Sequence, residues 1–304
     1  MSIFRKILLS LLLVILPGLI IPYLRPQKKQ AFSLEAISAQ IPFHSEWQGR
    51  LLSKDEEEHV ARALSQPYKY LGSGGQCFSF VSSDEKYVIK FFKQKAFALP
   101  IWMNDFPFPF LIKWLQEKKT IKRKEKRHRV FNAFGLSFDF LPSETGLLYV
   151  HLNRTIHLKK TLSFCDAMGK THLLNLDKLE FVIQKKADLA YSVLDSLMEK
   201  GNFEGAKLAI DQLLLLNIKL YQKGFRNRDP NFRSNCGFID GQAIVIDVGR
   251  IIESKEIKEP KNYQKELSQI IPKFRLYLSK RHPELLSHFD QTIEMLNHSE
   301  KLKI

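Results

Sequence analysis

The chain has 304 residues, with 47 Lys and Arg against 32 Asp and Glu, which gives a formal net charge of +15. Fourteen Gly, thirteen Pro and 44% hydrophobic residues exclude a collagen, a low-complexity chain or a disordered tail, and 23 Phe supply material for a core. Cys77, Cys165 and Cys236 stand far apart and offer neither a disulfide framework nor a CxxC metal site, so site chemistry falls to oxygen and nitrogen groups. The positive balance points to an anionic partner: nucleic acid, phospholipid headgroups or a phosphorylated substrate.

Residues 7–24 (ILLSLLLVILPGLIIPYL) carry no charge and reach the lower limit of a bilayer-spanning length. A cleaved signal peptide is the competing reading. The run ends in Pro-Tyr-Leu-Arg without a small-x-small site, which favours a single-pass anchor over residues 1–25. Basic residues flank both ends, so the side of the membrane stays open. Residues 26–66 read as a polar linker leading to a short helix at 55–65.

Strands are expected at 68–71, 77–82 and 87–92, the first two joined by the glycine loop Gly72-Ser-Gly-Gly75. A helix is expected over 111–134, after an aromatic- and proline-rich insertion at 98–114. Further extended runs lie at 147–152, 158–165, 171–176 and 179–184, with Asp166-Ala-Met-Gly169 as a hairpin turn. Beyond Lys186 the apolar period changes from two to 3.6 and predicts helices at 189–199 and 204–223, the second largely buried. Asp240-Gly241 then marks a second hairpin, and the last 57 residues read as helical, punctuated by Pro260, Pro272 and Pro283. A sheet-rich half followed by a helix-rich half is an α+β pattern in two lobes, 67–186 and 187–304.

Three features carry chemistry. Gly72, Gly74 and Gly75 lack the Cβ that would hold a phosphate away from backbone amides. Lys90 is flanked by Val88, Ile89, Phe91 and Phe92 on a core-like strand, where an ammonium needs a phosphate or carboxylate. Downstream, Asp229 and Asn235 sit on a loop after the buried helix, and Asp247 ends a strand before Gly249, suited to a hard cation. The bland readings are a hairpin turn, an edge-strand lysine and an Asx turn.

In this order the residues resemble the protein-kinase-like superfamily. Leu71-Gly72-Ser-Gly74 resembles its phosphate-covering loop, Val88-Ile89-Lys90 its V-A-I-K strand, Asn227-Arg228-Asp229 its H-R-D and Asp247-Val-Gly249 its D-F-G. The resemblance spans residues 68–250. It implies a bilobal kinase-like fold with an abbreviated helical C-lobe and a phosphotransferase using ATP and Mg²⁺; with the N-terminal transmembrane helix read from residues 7–24 in front of it, the expectation is a membrane-anchored phosphotransferase. Gly72, Gly74, Gly75 and Lys90 would then hold ATP phosphates, and of the two glutamates that the helix at 111–134 offers, Glu117 and Glu125, the second is favoured to orient Lys90 because it leads into the apolar Val130, Phe131 and Phe134. Asp229 would act on the acceptor hydroxyl, and Asn235 and Asp247 would hold Mg²⁺.

The chain departs from the family pattern as well. Cys77 stands where the third glycine belongs, Asn227 where the histidine does, and five residues instead of four separate Asp229 from Asn235. These departures motivate the alternative of a pseudokinase, a membrane-tethered binding module. Residues 113–130 hold nine Lys and Arg against two Glu. They suit a solvated face, an anionic lipid surface or an acidic protein, and no nucleic-acid module accompanies them.

Overall fold

The structure is a computed structural model, and it describes residues 31–39, 41–94, 97 and 109–298. The expected anchor at 7–24 and most of the insertion at 98–114 lie outside these residues. Among the described residues no helix is long and apolar enough to cross a membrane.

Helix α1 (Lys54–Ala63) begins where Ser53 and Glu56 close a capping box, and three acids in its first turn complement the helix dipole. Strands β1 (Tyr68–Ser73), β2 (Cys77–Ser82) and β3 (Tyr87–Phe92) follow as an antiparallel meander. Helix α2 (Pro109–Phe140) comes next, running six residues past its expected end at 134. Strands β4 (Leu147–His151), β5 (Thr161–Cys165), β6 (Thr171–Asn175) and β7 (Phe181–Lys185) complete a seven-stranded sheet in the order β4-β7-β3-β2-β1-β5-β6. The Asp166–Gly169 turn joins β5 to β6 as expected, with Gly169 at φ 82°.

Both faces of this sheet are covered near β3, because successive side chains point to opposite sides. Phe91 packs among Phe80, Phe164 and Phe181 on one face. Phe92 meets Phe131 and Phe134 of α2 on the other, with ring centroids 4.7 and 5.1 Å away. Lys90, two residues from Phe92, therefore shares the α2 face.

After β7 the chain leaves the sheet through Lys186 and Ala187. It forms β8 (Asp188–Leu189), α3 (Ala190–Glu199), the buried α4 (Phe203–Gln222) and β9 (Phe225–Asn227). One helical turn at Phe232–Asn235 leads into β10 (Cys236–Ile239) and β11 (Gln242–Val245), whose turn places Asp240 and Gly241 at φ 50° and 78°. That pair of positive angles is what an Asp-Gly hairpin turn supplies. Strand β12 (Ile251–Glu253) pairs with β9, and α5 (Pro260–Arg281) and α6 (Leu286–His298) close the helical part.

The α+β pattern, a sheet-rich lobe followed by a helical part, is the one expected. Two details of the last 57 residues differ. Residues 251–253 form a strand, and Pro272 lies within α5, which continues through it because Ile270 and Phe274 on either side are buried.

Candidate nucleotide and phosphotransfer site

A cleft of about 340 Å³ lies where the sheet meets the helical part. Leu71, Gly74, Gly75, Gln76 and Cys77 come to it from the β1–β2 turn, and Val88 and Lys90 from β3. Helix α2 adds Phe134, the exit from β7 adds Gln184 to Ala187, and Ser234, Ile246 and Asp247 line the opposite wall. Gly72 belongs to β1, beside the register shift after Tyr70, and is outside the lining.

The glycine loop is fastened from within. Lys93, buried after the end of β3, donates to Ser73 Oγ and to the Gly74 carbonyl, both at 2.5 Å, with its ammonium 4.7 Å from the centre of the Phe78 ring. Burial lowers its pKa. The sequence carries a signal for it, a second lysine directly after the same apolar strand, without the flanking apolar residues on both sides that mark Lys90. Cys77 is buried, and burial pushes its thiol up to about 12, so it stays protonated at neutral pH and packs as a small apolar group.

Lys90 donates to the Ile246 carbonyl, the residue before Asp247. Burial lowers its pKa and the nearby Asp247 partly offsets this. Among the described residues no carboxylate lies within ion-pair distance of it.

Glu125, expected to orient Lys90, is not brought to it. It is exposed and its near charge is Arg129, at 3.9 Å. The reason is helical phase: nine residues, two and a half turns, separate Glu125 from Phe134, so the two project from opposite sides of α2. An apolar ring occupies the face from which a carboxylate would reach Lys90.

Asp229 and Asn235 come together. Asn235 is buried, and its Nδ2 donates to the Asp229 carbonyl at 2.8 Å while its Oδ1 accepts from Ser234 Oγ at 2.8 Å. The extra residue between them is absorbed by the helical turn at Phe232–Asn235, which the Asn231 side chain caps. Asn227, at the histidine position, is buried and its Oδ1 accepts from the Asp229 amide at 3.0 Å, holding the start of this loop. Asn235 reaches the Asp247 strand through its carbonyl, which accepts from the Ile246 amide at 2.8 Å. Asp247 Oδ1 accepts from the Gly249 amide at 3.2 Å. The β9–β12 ladder sets Arg250 beside Asp229, with 3.7 Å between guanidinium and carboxylate.

Among solved structures, the chain is similar to the bifunctional kinase-methyltransferase WbdD at 14% identity over 78% of this chain and 51% of that one, with a TM-score of 0.40. It is also similar to Rv3197 from Mycobacterium tuberculosis, described in complex with erythromycin, at 14% identity over 77% and 59%, with a TM-score of 0.32. A third is APH(2")-IIa in a streptomycin-ATP ternary complex, at 15% identity over 84% and 97%, with a TM-score of 0.26. The chain spans about half the length of the WbdD chain it matches. Neither a protein-family model nor a curated protein matches it.

Proposed function

We propose that the chain is a phosphotransferase that binds ATP with Mg²⁺ in the cleft between its sheet and its helical part. The observation that carries this reading is the glycine loop. Gly74 and Gly75, which line the cleft, have no positive φ, and a Cβ added to either would meet nothing within 4 Å. The chain's own packing therefore gives no reason for glycine at these two positions, whereas close approach of backbone to a phosphate does. Lys90 faces the same cleft as the cation for those phosphates. Asp247 and Asn235 supply oxygen donors for Mg²⁺, which commonly takes few protein ligands and completes its shell with phosphate and water. Asp229 would accept the acceptor's hydroxyl proton as that oxygen bonds to the terminal phosphorus and the bond from phosphorus to the ADP oxygen breaks.

The full chain is expected to turn over ATP in the presence of Mg²⁺, and Asp247→Ala to lower the rate by roughly a hundredfold or more. Undiminished turnover in that variant would overturn the assignment. A second reading, a binding module without turnover, is favoured by one observation: Lys90 rests on a backbone carbonyl and receives no carboxylate from α2. A nucleotide-dependent rise in melting temperature without turnover would select it. In either reading residues 7–24 would tether the chain to a membrane, with a reporter at the C terminus showing on which side.

A further inference from the structure

Within the basic run of α2, Arg123, Lys126 and Arg127 are half-buried, while most of its other cations are exposed. Helix α2 packs against β12, and its Lys126 lies within electrostatic reach of Arg250, the residue that precedes β12 and stands 3.7 Å from the carboxylate of Asp229. Lys126 is half-buried at this meeting, with Arg123, Arg129 and Arg250 all close enough to act on its charge. Arg123 and Lys126 are one helical turn apart on α2 and so are neighbours on its surface.

The compensation is thin. Arg250 has Asp229 at 3.7 Å and Arg129 has Glu125 at 3.9 Å, both near the outer limit of an ion pair. Among the described residues Arg123 and Lys126 have no carboxylate within ion-pair distance. Four cations gathered from two separate elements repel one another, and the half-burial of Arg123 and Lys126 strengthens the repulsion between those two. A solvated helix face would spread such charges apart. Here three of them gather on Lys126, and one of the three, Arg250, stands beside the carboxylate proposed to act on an acceptor.

We propose that this convergence is the acceptor-binding side of the site, and that Arg123, Lys126 and Arg250 take a phosphate monoester already present on the acceptor. The inference rests on the phosphotransferase reading. An acceptor held by its own phosphate would present a hydroxyl to Asp229, and the donors suit the anion: two guanidinium forks and an ammonium, five N–H groups on each arginine and three on the lysine. A phosphate monoester can belong to a soluble molecule or to a lipid headgroup, and the same three side chains would recognise either.

The test uses the full chain and two probes, glycerol 3-phosphate for the soluble source and phosphatidic-acid vesicles for the lipid one, with phosphatidylcholine vesicles as the neutral reference. Saturable binding of at least one probe, displaced by inorganic phosphate and weakened roughly tenfold or more in Arg123→Gln/Lys126→Gln, is the expected result. Both substitutions lie at the helix surface, and a Mg²⁺-ATP melting shift retained in the double variant checks that the cleft is intact. Absence of binding to both probes, or binding that the double substitution leaves unchanged, overturns the proposal. A chain that binds the phosphate probe through these residues but shows no response to nucleotide would sink the phosphotransferase reading and leave the anion site standing.

Discussion

At the scale of single residues the least expected group is Glu180, 1% exposed immediately before β7. Gln94 donates to it at 3.0 Å, Arg154 lies 3.5 Å away, and Arg127 of α2 acts on it from further off. Burial dominates over these partners and raises its pKa from the usual carboxylate range to about 7. A carboxyl whose folded pKa exceeds its unfolded one binds its proton more tightly when folded. Its contribution is complete below the unfolded value and is lost as pH rises through the folded one. Stability should therefore fall between about pH 4.5 and 7, at up to ~1.4 kcal/mol per pH unit for one proton. Glu180→Gln should flatten that stretch of the profile, measured by denaturant unfolding across pH. An unchanged slope would show that Glu180 does not titrate there. Nothing in the sequence distinguishes this glutamate from the other acids, because its neighbours come from positions 94, 127 and 154. Lys90 was legible by contrast, since a single charge inside an apolar strand is visible without knowing the fold.

At the scale of elements, strands were legible where their apolar residues alternate and their turns carry Gly or Asp-Gly, and β3 spans the residues expected for it. Strands β9 and β12 were not, because three residues contain no period to read and each is fixed by the other. Helix α2 shows what a linear reading loses. Its basic content was evident, but which side faces the sheet depends on phase, and Phe134 rather than Glu125 has the phase of the cleft. The docking of α2 rests on aromatic contacts. Phe131 is fully buried, with Trp47 and Phe92 both at 4.7 Å between ring centroids and Phe97 at 6.2 Å. Truncation to Ala should cost ~3–5 kcal/mol in unfolding free energy, read from denaturant melts, because the rings around the void belong to separate elements and cannot all close it. A loss below ~1 kcal/mol would mean that α2 is held mainly by other contacts.

At the scale of the whole molecule, the groups proposed to hold nucleotide belong to different parts of one fold: the glycine loop and Lys90 to the sheet, Asp247 and Asn235 to the helical part. The chain crosses from β7 to β8, Gln184 of β7 donates to the Val245 carbonyl at 3.4 Å across the junction, and α2 packs on β12 within one buried apolar cluster. A ligand that touched both walls would add to this coupling, since anything that binds only the folded state shifts the unfolding equilibrium by mass action. At a hundred times its dissociation constant a nucleotide adds about 2.7 kcal/mol, and for a chain of this size that corresponds to a rise in melting temperature of roughly 5 °C. Lys90→Met and Asp247→Ala remove one contact from each wall. If ATP and Mg²⁺ bridge the cleft, each substitution alone should abolish most of the shift at the same ligand concentration, because each breaks one side of a single bridge. A shift that survives Asp247→Ala but not Lys90→Met would place the ligand on the sheet alone, and transfer to an acceptor beside Asp229 would then have no geometric basis.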